Sequence, residues 1–159
     1  MSKVLKITWY SGEGIDKYLY DLAKLEESGS IKAAVYEGAA IVANSIAHNI
    51  NDLPIRKGNE VRGVTKKQKE GLKEGFGISP MRNDNGYIHV KLGFADYNEQ
   101  YSSKYPNGQP NAMIARSIEG GTSWSPKIPF IRKAVRATEN EAVARMTKVI
   151  DTSLENYFG

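Results

Sequence analysis

The chain has 159 residues, 40% of them hydrophobic and 25% charged, with a net charge of +4 and no cysteine. A single domain with a substantial core fits that length, and the composition speaks against whole-chain disorder, disulfides and thiolate metal sites. With His48 and His89 as the only imidazoles, a structural zinc site is not expected either.

Val4, Leu5, Ile7 and Trp9 predict a first strand, broken by the glycines of SGEG. Ile15, Leu19, Leu22 and Leu25 then recur at spacings of four and three, predicting a helix that stops at Ser28-Gly29. Ser30 is the expected N-cap of the next helix, whose face of Ile31, Val35, Ala39, Val42, Ile46 and Ile50 runs on until Pro54. Such a helix is about 30 Å long at 1.5 Å per residue. Its small residues, among them Ala33, Ala34, Gly38 and Ala43, would admit another element closely.

LPIRKGNEVRGVT at 53–65 breaks the periodicity and predicts an exposed basic loop, followed by a short amphipathic segment, TKKQKEGLKEGF. Asn83-Asp84-Asn85-Gly86 lies between extended runs, the pattern of a hairpin. In its second strand Ile88, Val90 and Leu92 alternate with His89 and Lys91, predicting one buried and one wet face. A polar, tyrosine-bearing loop leads to Pro110, an expected first helical position, and Met113, Ile114, Ser117 and Ile118 mark a short helix ended by Gly120-Gly121. Phe130, Ile131, Ala134 and Val135 begin a further helical segment, and Ala142, Val143, Met146, Val149, Ile150 and Leu154 line a final helix. The expected fold is α+β, one domain over 1–159, with a small antiparallel sheet packed against long amphipathic helices and flexible loops near 54–65 and 95–109.

Few residues suggest chemistry. His48 sits near the end of the long helix, where a cation meets the helix dipole favourably, and His89 falls on the expected wet strand face. GEGIDK at 12–17 has the strand-turn-helix context of a dinucleotide loop but carries Lys17 where the third glycine belongs, so it reads as a plain turn. No Gly-Lys-Ser or Gly-Lys-Thr phosphate loop and no Gly-x-Ser-x-Gly elbow occurs, and no glycosidase-like carboxylate pair stands out. No run has the apolar length of a signal peptide core or a membrane span, so synthesis in the cytosol is expected.

Charge is unevenly spread. Residues 56–75 hold seven cations, Arg56, Lys57, Arg62, Lys66, Lys67, Lys69 and Lys73, against three glutamates, whereas residues 13–27 hold five acids against two lysines. A chain with an acidic end and a basic middle can pair with copies of itself. The basic stretch has no interleaved aromatic until Phe76 and so lacks the stacking platform of a single-strand binder.

Between the last two helices, Glu119 is the only acid near Ser117, Thr122, Ser123 and Ser125, and without a base these hydroxyls are weak nucleophiles. The architectural reading explains more residues: Gly120 and Gly121 end one helix, Pro126 and Pro129 stiffen the link, and Phe130 and Ile131 start the apolar face of the next.

IARSIEGGTSWSPKIPFIRKAV at 114–135 resembles the signature of the phage tail-component family of the gene-product-ten type, where an acid and a Gly-Thr turn precede a Pro-Phe helix start. Ala115, Glu119, Gly121, Thr122, Pro129, Phe130, Ile131 and Ala134 carry the resemblance. Upstream, the alanine-rich helix ending at Pro54, then Gly71-Leu72-Lys73, then VKLGF follow in the family's order. Two features are this chain's own: Gly120 where the family often has an aromatic, and a longer segment from Pro54 to Gly71.

The resemblance implies a structural, non-enzymatic virion protein of the head-to-tail neck of a siphophage or prophage, made in the host cytoplasm. It implies a tail-completion component that joins the head-closure and tail-terminator rings, forms rings with copies of itself and needs no cofactor or membrane. Arg56, Lys57, Arg62, Lys66, Lys67, Lys69, Lys73, Glu119, Thr122 and Trp124 are the expected assembly residues, and Gly120, Gly121, Pro129, Phe130 and Ile131 the expected joint. The implied partners are head-closure or connector proteins and tail-terminator or tail-tube proteins, and the alternatives are a tail-terminator ring protein and a nucleic-acid-binding accessory protein using the basic 56–75 segment. Nonspecific contact of that segment with DNA in the neck is compatible with the structural role, and a hydrolase is the remaining alternative.

Overall fold

The structure is a computed structural model that describes residues 29–158. The strand expected over 4–9 and the helix expected over 15–25 lie outside the described residues. Within them the order is α1 (Ser30–Asn51), α2 (Lys66–Gly75), β1 (Phe76–Ile78), β2 (Arg82–Asp84), β3 (Tyr87–His89), β4 (Leu92–Phe94), α3 (Asn111–Gly120) and α4 (Phe130–Phe158), an α+β fold.

The long helices α1 and α4 pack antiparallel. At one end the Asn49 side-chain amide donates to the Phe130 carbonyl at 2.8 Å, and further along Glu37 pairs with Arg145. The two helices contain 22 and 29 residues, about 33 and 44 Å at 1.5 Å per residue. Two helical segments were expected after Pro129, but one continuous helix runs from Phe130, since neither glycine nor proline interrupts it.

In the first half of α1 the most buried positions are Ala34 and Gly38, while Ile31, Val35 and Ala39 are half-buried. The cause is the close approach of α4: a Cβ added to Gly38 would stand 2.6 Å from Met146 Cγ. The small residues therefore define the contact face there, rotated from the expected apolar stripe. Gly29, with φ 75°, takes the cap position expected of Ser30, which is the first helical residue.

α2 begins with a capping box. The Thr65 hydroxyl accepts from the Gln68 N–H at 3.2 Å, and the Gln68 side chain accepts from the Thr65 N–H at 3.0 Å. Gln68, Gly71, Leu72 and Gly75 form its buried face. Pro110 caps α3 rather than opening it as the first helical residue.

The single small sheet resolves into two antiparallel ribbons, β1 with β4 and β2 with β3. Asn85 and Gly86 turn the inner ribbon with φ of 55° and 88°, the paired positive values of a type I′ hairpin. The expected continuous strand over 88–92 is split, because Pro80 on the facing segment has no N–H to donate and breaks the ladder. Ser79 repairs the gap, its N–H donating to the Lys91 carbonyl and its hydroxyl accepting from the Lys91 N–H, both at 2.8 Å.

The core fills the space between the C-terminal half of α1, α2, α3 and the start of α4, with Ile46, Ile50, Leu53, Val64, Leu72, Ile114, Ile118 and Phe130 buried together. Phe76, Leu92 and Phe94 of the outer ribbon pack against it. Among the described residues no helix is long and apolar enough to cross a membrane.

Candidate assembly interface

The link between α3 and α4 is built from local hydrogen bonds. Gly121 ends α3 with φ 74°, and a Cβ there would lie 2.9 Å from the Lys127 nitrogen, so glycine is required by conformation and by space. Gly120 remains helical, and a Cβ on it would meet nothing within 4 Å, so Gly121 alone makes the joint's turn. Thr122 and Ser125 close the next turn: the Thr122 N–H donates to the Ser125 carbonyl at 2.9 Å, and the Thr122 hydroxyl accepts from the Ser125 N–H at 3.0 Å.

Glu119 spans the joint. Its carboxylate accepts from the Ile131 N–H at 2.8 Å and the Arg132 N–H at 2.9 Å, satisfying two open donors in the first turn of α4. Glu119 and Thr122 are both expected assembly residues, and both make hydrogen bonds within the chain, Glu119 half-buried and Thr122 at an exposed position. Phe130 is 2% exposed and meets Phe94 edge-on at 6.2 Å, whereas Pro129 and Ile131 are half-buried beside it.

The basic stretch divides in the same way. Lys69 Nζ donates to the carbonyls of Asn51 at 2.6 Å and Leu53 at 2.9 Å, closing the C-terminal end of α1. Arg56 donates to the Gly63 carbonyl at 3.1 Å and to Gln68 at 3.5 Å, and its guanidinium lies 5.5 Å above the Trp124 ring. These two cations hold the fold. Lys57, Arg62, Lys66, Lys67 and Lys73 are exposed, with no side-chain partner among the described residues. Lys66 and Lys67 stand in the first turn of α2, the helix end where the dipole favours anions, and no acid accompanies them there.

The joint and the basic loop touch. The Ser125 hydroxyl donates to the Val61 carbonyl at 2.7 Å, which places exposed Trp124 beside exposed Val61. The polar 95–109 loop joins them through side-chain amides. Gln68 donates to Gln109 at 2.9 Å, and buried Asn98 accepts from the N–H groups of Gln100 and Gln109 at 3.0 and 3.1 Å. The Thr65 hydroxyl bonds Gln100. A Cβ on Gly71 would sit 2.5 Å from both Asn98 Cβ and Asn111 Oδ1, so α2 lies against the base of this loop. Tyr97 and Tyr101 remain exposed on it. The usable signal in the sequence was the density of Asn and Gln between 98 and 111, since a buried amide needs partners of its own kind.

The histidines stand apart. His48 is exposed and 3.2 Å from Asp52. His89 is mostly covered instead of wet, with its ring 5.1 Å from that of Tyr87 and its Nε2 2.7 Å from Asp84. The hydrogen bond to His89, assisted by the nearby cations, lowers the Asp84 carboxyl below the ordinary carboxylate value. Among the described residues no group of three or more His, Asp and Glu side chains is placed to hold a metal ion. In comparison with known proteins, no family model, no curated protein and no solved structure matches this chain.

Proposed function

We propose that this protein is an assembly subunit of a siphophage or prophage neck, a tail-completion component that joins the head-closure and tail-terminator rings. The observation that supports it is the use made of the signature residues at 115–134. Glu119 caps the start of α4, Gly121 and Thr122 shape the turn, and Phe130 seats the helix in the core. The segment that resembles the tail-component signature therefore works as a joint, and it carries Trp124 outward beside the basic loop.

The test is removal of the gene from the phage or prophage that encodes it, with particles examined by electron microscopy and mass spectrometry. Full heads and finished tails that fail to join, together with this chain in wild-type virions, are the expected result. Normal joined particles, or virions without the chain, would refute the proposal. The exposed cations favour one second reading, contact with nucleic acid, which predicts duplex binding by the purified protein that weakens steeply with salt.

A further inference from the structure

We infer that Trp124 and Val61, with the exposed cations Arg62, Lys66 and Lys67 of the adjoining basic stretch, dock the acidic 13–27 segment of a second copy of this chain. The inference rests on the assembly reading above and names the occupant of its docking face. Trp124 is 61% exposed, yet its ring is mounted: Arg56 lies 5.5 Å over it, and the neighbouring Ser125 is tied to Val61. Val61 beside it is 52% exposed. A tryptophan held by an arginine has the residue types of a protein-binding hot spot. A duplex backbone would engage the cations and leave that apolar pair uncovered.

The occupant is identified by complementarity. Residues 13–27 combine five acids with Ile15, Leu19, Leu22 and Leu25, so one short segment offers both carboxylates for the cations and apolar groups for Trp124 and Val61. Arg62, Lys66 and Lys67 have no partner among the described residues and are open to those carboxylates. Because the face and the segment are different parts of the same sequence, the contact is heterologous, the kind that closes into a ring when the rotation between subunits permits.

Charge reversal in the full-length protein tests this, read by sedimentation at low salt with circular dichroism as the control for folding. Lys66→Glu/Lys67→Glu and Glu26→Lys/Glu27→Lys should each weaken self-association by about tenfold or more, and Trp124→Ala should do so by a similar factor. An equal mixture of the two reversed proteins should associate as the wild type does, since each then offers the other a matching surface. A strictly monomeric wild type, or association unchanged by the reversals, would overturn the inference. Recovery in a chain carrying all four changes without recovery in the mixture would also overturn it, by placing the contact within one molecule. So would duplex DNA binding lost on reversal while association persists. The neck reading stands or falls separately on the virion experiment: an interface confirmed in the purified protein with no chain in virions would remove the function and keep the contact.

Discussion

Glu119→Ala removes a carboxylate that accepts two N–H donors, Ile131 at 2.8 Å and Arg132 at 2.9 Å, in the first turn of a 29-residue helix. Loss of a side-chain cap costs about 0.5 to 2 kcal/mol, and loss of an anion at a helix N-terminus about 0.3 to 1 kcal/mol. The Arg132 end is exposed, so water replaces part of what is lost there, whereas the Ile131 N–H is partly buried and recovers less. Together these give an expected loss of about 1 to 2.5 kcal/mol. Glu119→Gln keeps one acceptor oxygen but no charge and should fall between that variant and the wild type. Urea unfolding gives the stability difference, and hydrogen exchange at Ile131 and Arg132 shows whether the loss is local to the start of α4. A Glu119→Ala protein that loses less than about 0.5 kcal/mol, with unchanged protection of those two amides, would refute the reasoning that this side chain caps α4.

Other outcomes follow from the same packing. Phe130→Ala should lose about 3 to 5 kcal/mol in urea unfolding and, under the proposed neck function, leave heads and tails separated, while Ser123→Ala, at an exposed position, should leave both readouts near wild type. Gly71→Ala should destabilise by about 1 to 3 kcal/mol, because its methyl would meet Asn98 Cβ and Asn111 Oδ1 at 2.5 Å; a neutral result would mean that the base of the 95–109 loop is free to move aside. Asp84 has a folded pKa below its ordinary 3.8, so its pairing contributes fully above that value and is lost as pH falls through the lower folded value. NMR shifts of the 82–89 hairpin should move over that acid range in the wild type, and Asp84→Asn should abolish the transition.

The long helix α1, the hairpin turn and the joint were legible in the sequence because each depends on local physics. An apolar face repeated to Ile50 with no breaker, an Asn-Gly pair suited to positive φ, and a glycine after Ile118 followed by Pro129 are specified within a few residues. The buried role of Phe130 was legible for the same reason, since it begins an apolar helical face just after a proline.

The roles of the charged and amide side chains were decided by tertiary structure. Lys69 and Lys67 look alike in sequence, yet Lys69 closes the end of α1 while Lys67 is left exposed, and only the packing of α2 beneath residues 51–53 separates them. The capping role of Glu119 was not legible because its partners, the N–H groups of Ile131 and Arg132, lie more than ten residues away and come within reach only when α4 folds back from the joint. The sequence by itself determined the hairpin and joint turns and the amphipathic character of α1, through steric preference and periodicity, while the contact face of the first half of α1 was set by the approach of α4. Which polar groups are hydrogen-bonded within the fold and which are left exposed was settled by contacts between segments distant in sequence, because hydrogen bonds and ion pairs are short-ranged in space and indifferent to separation along the chain.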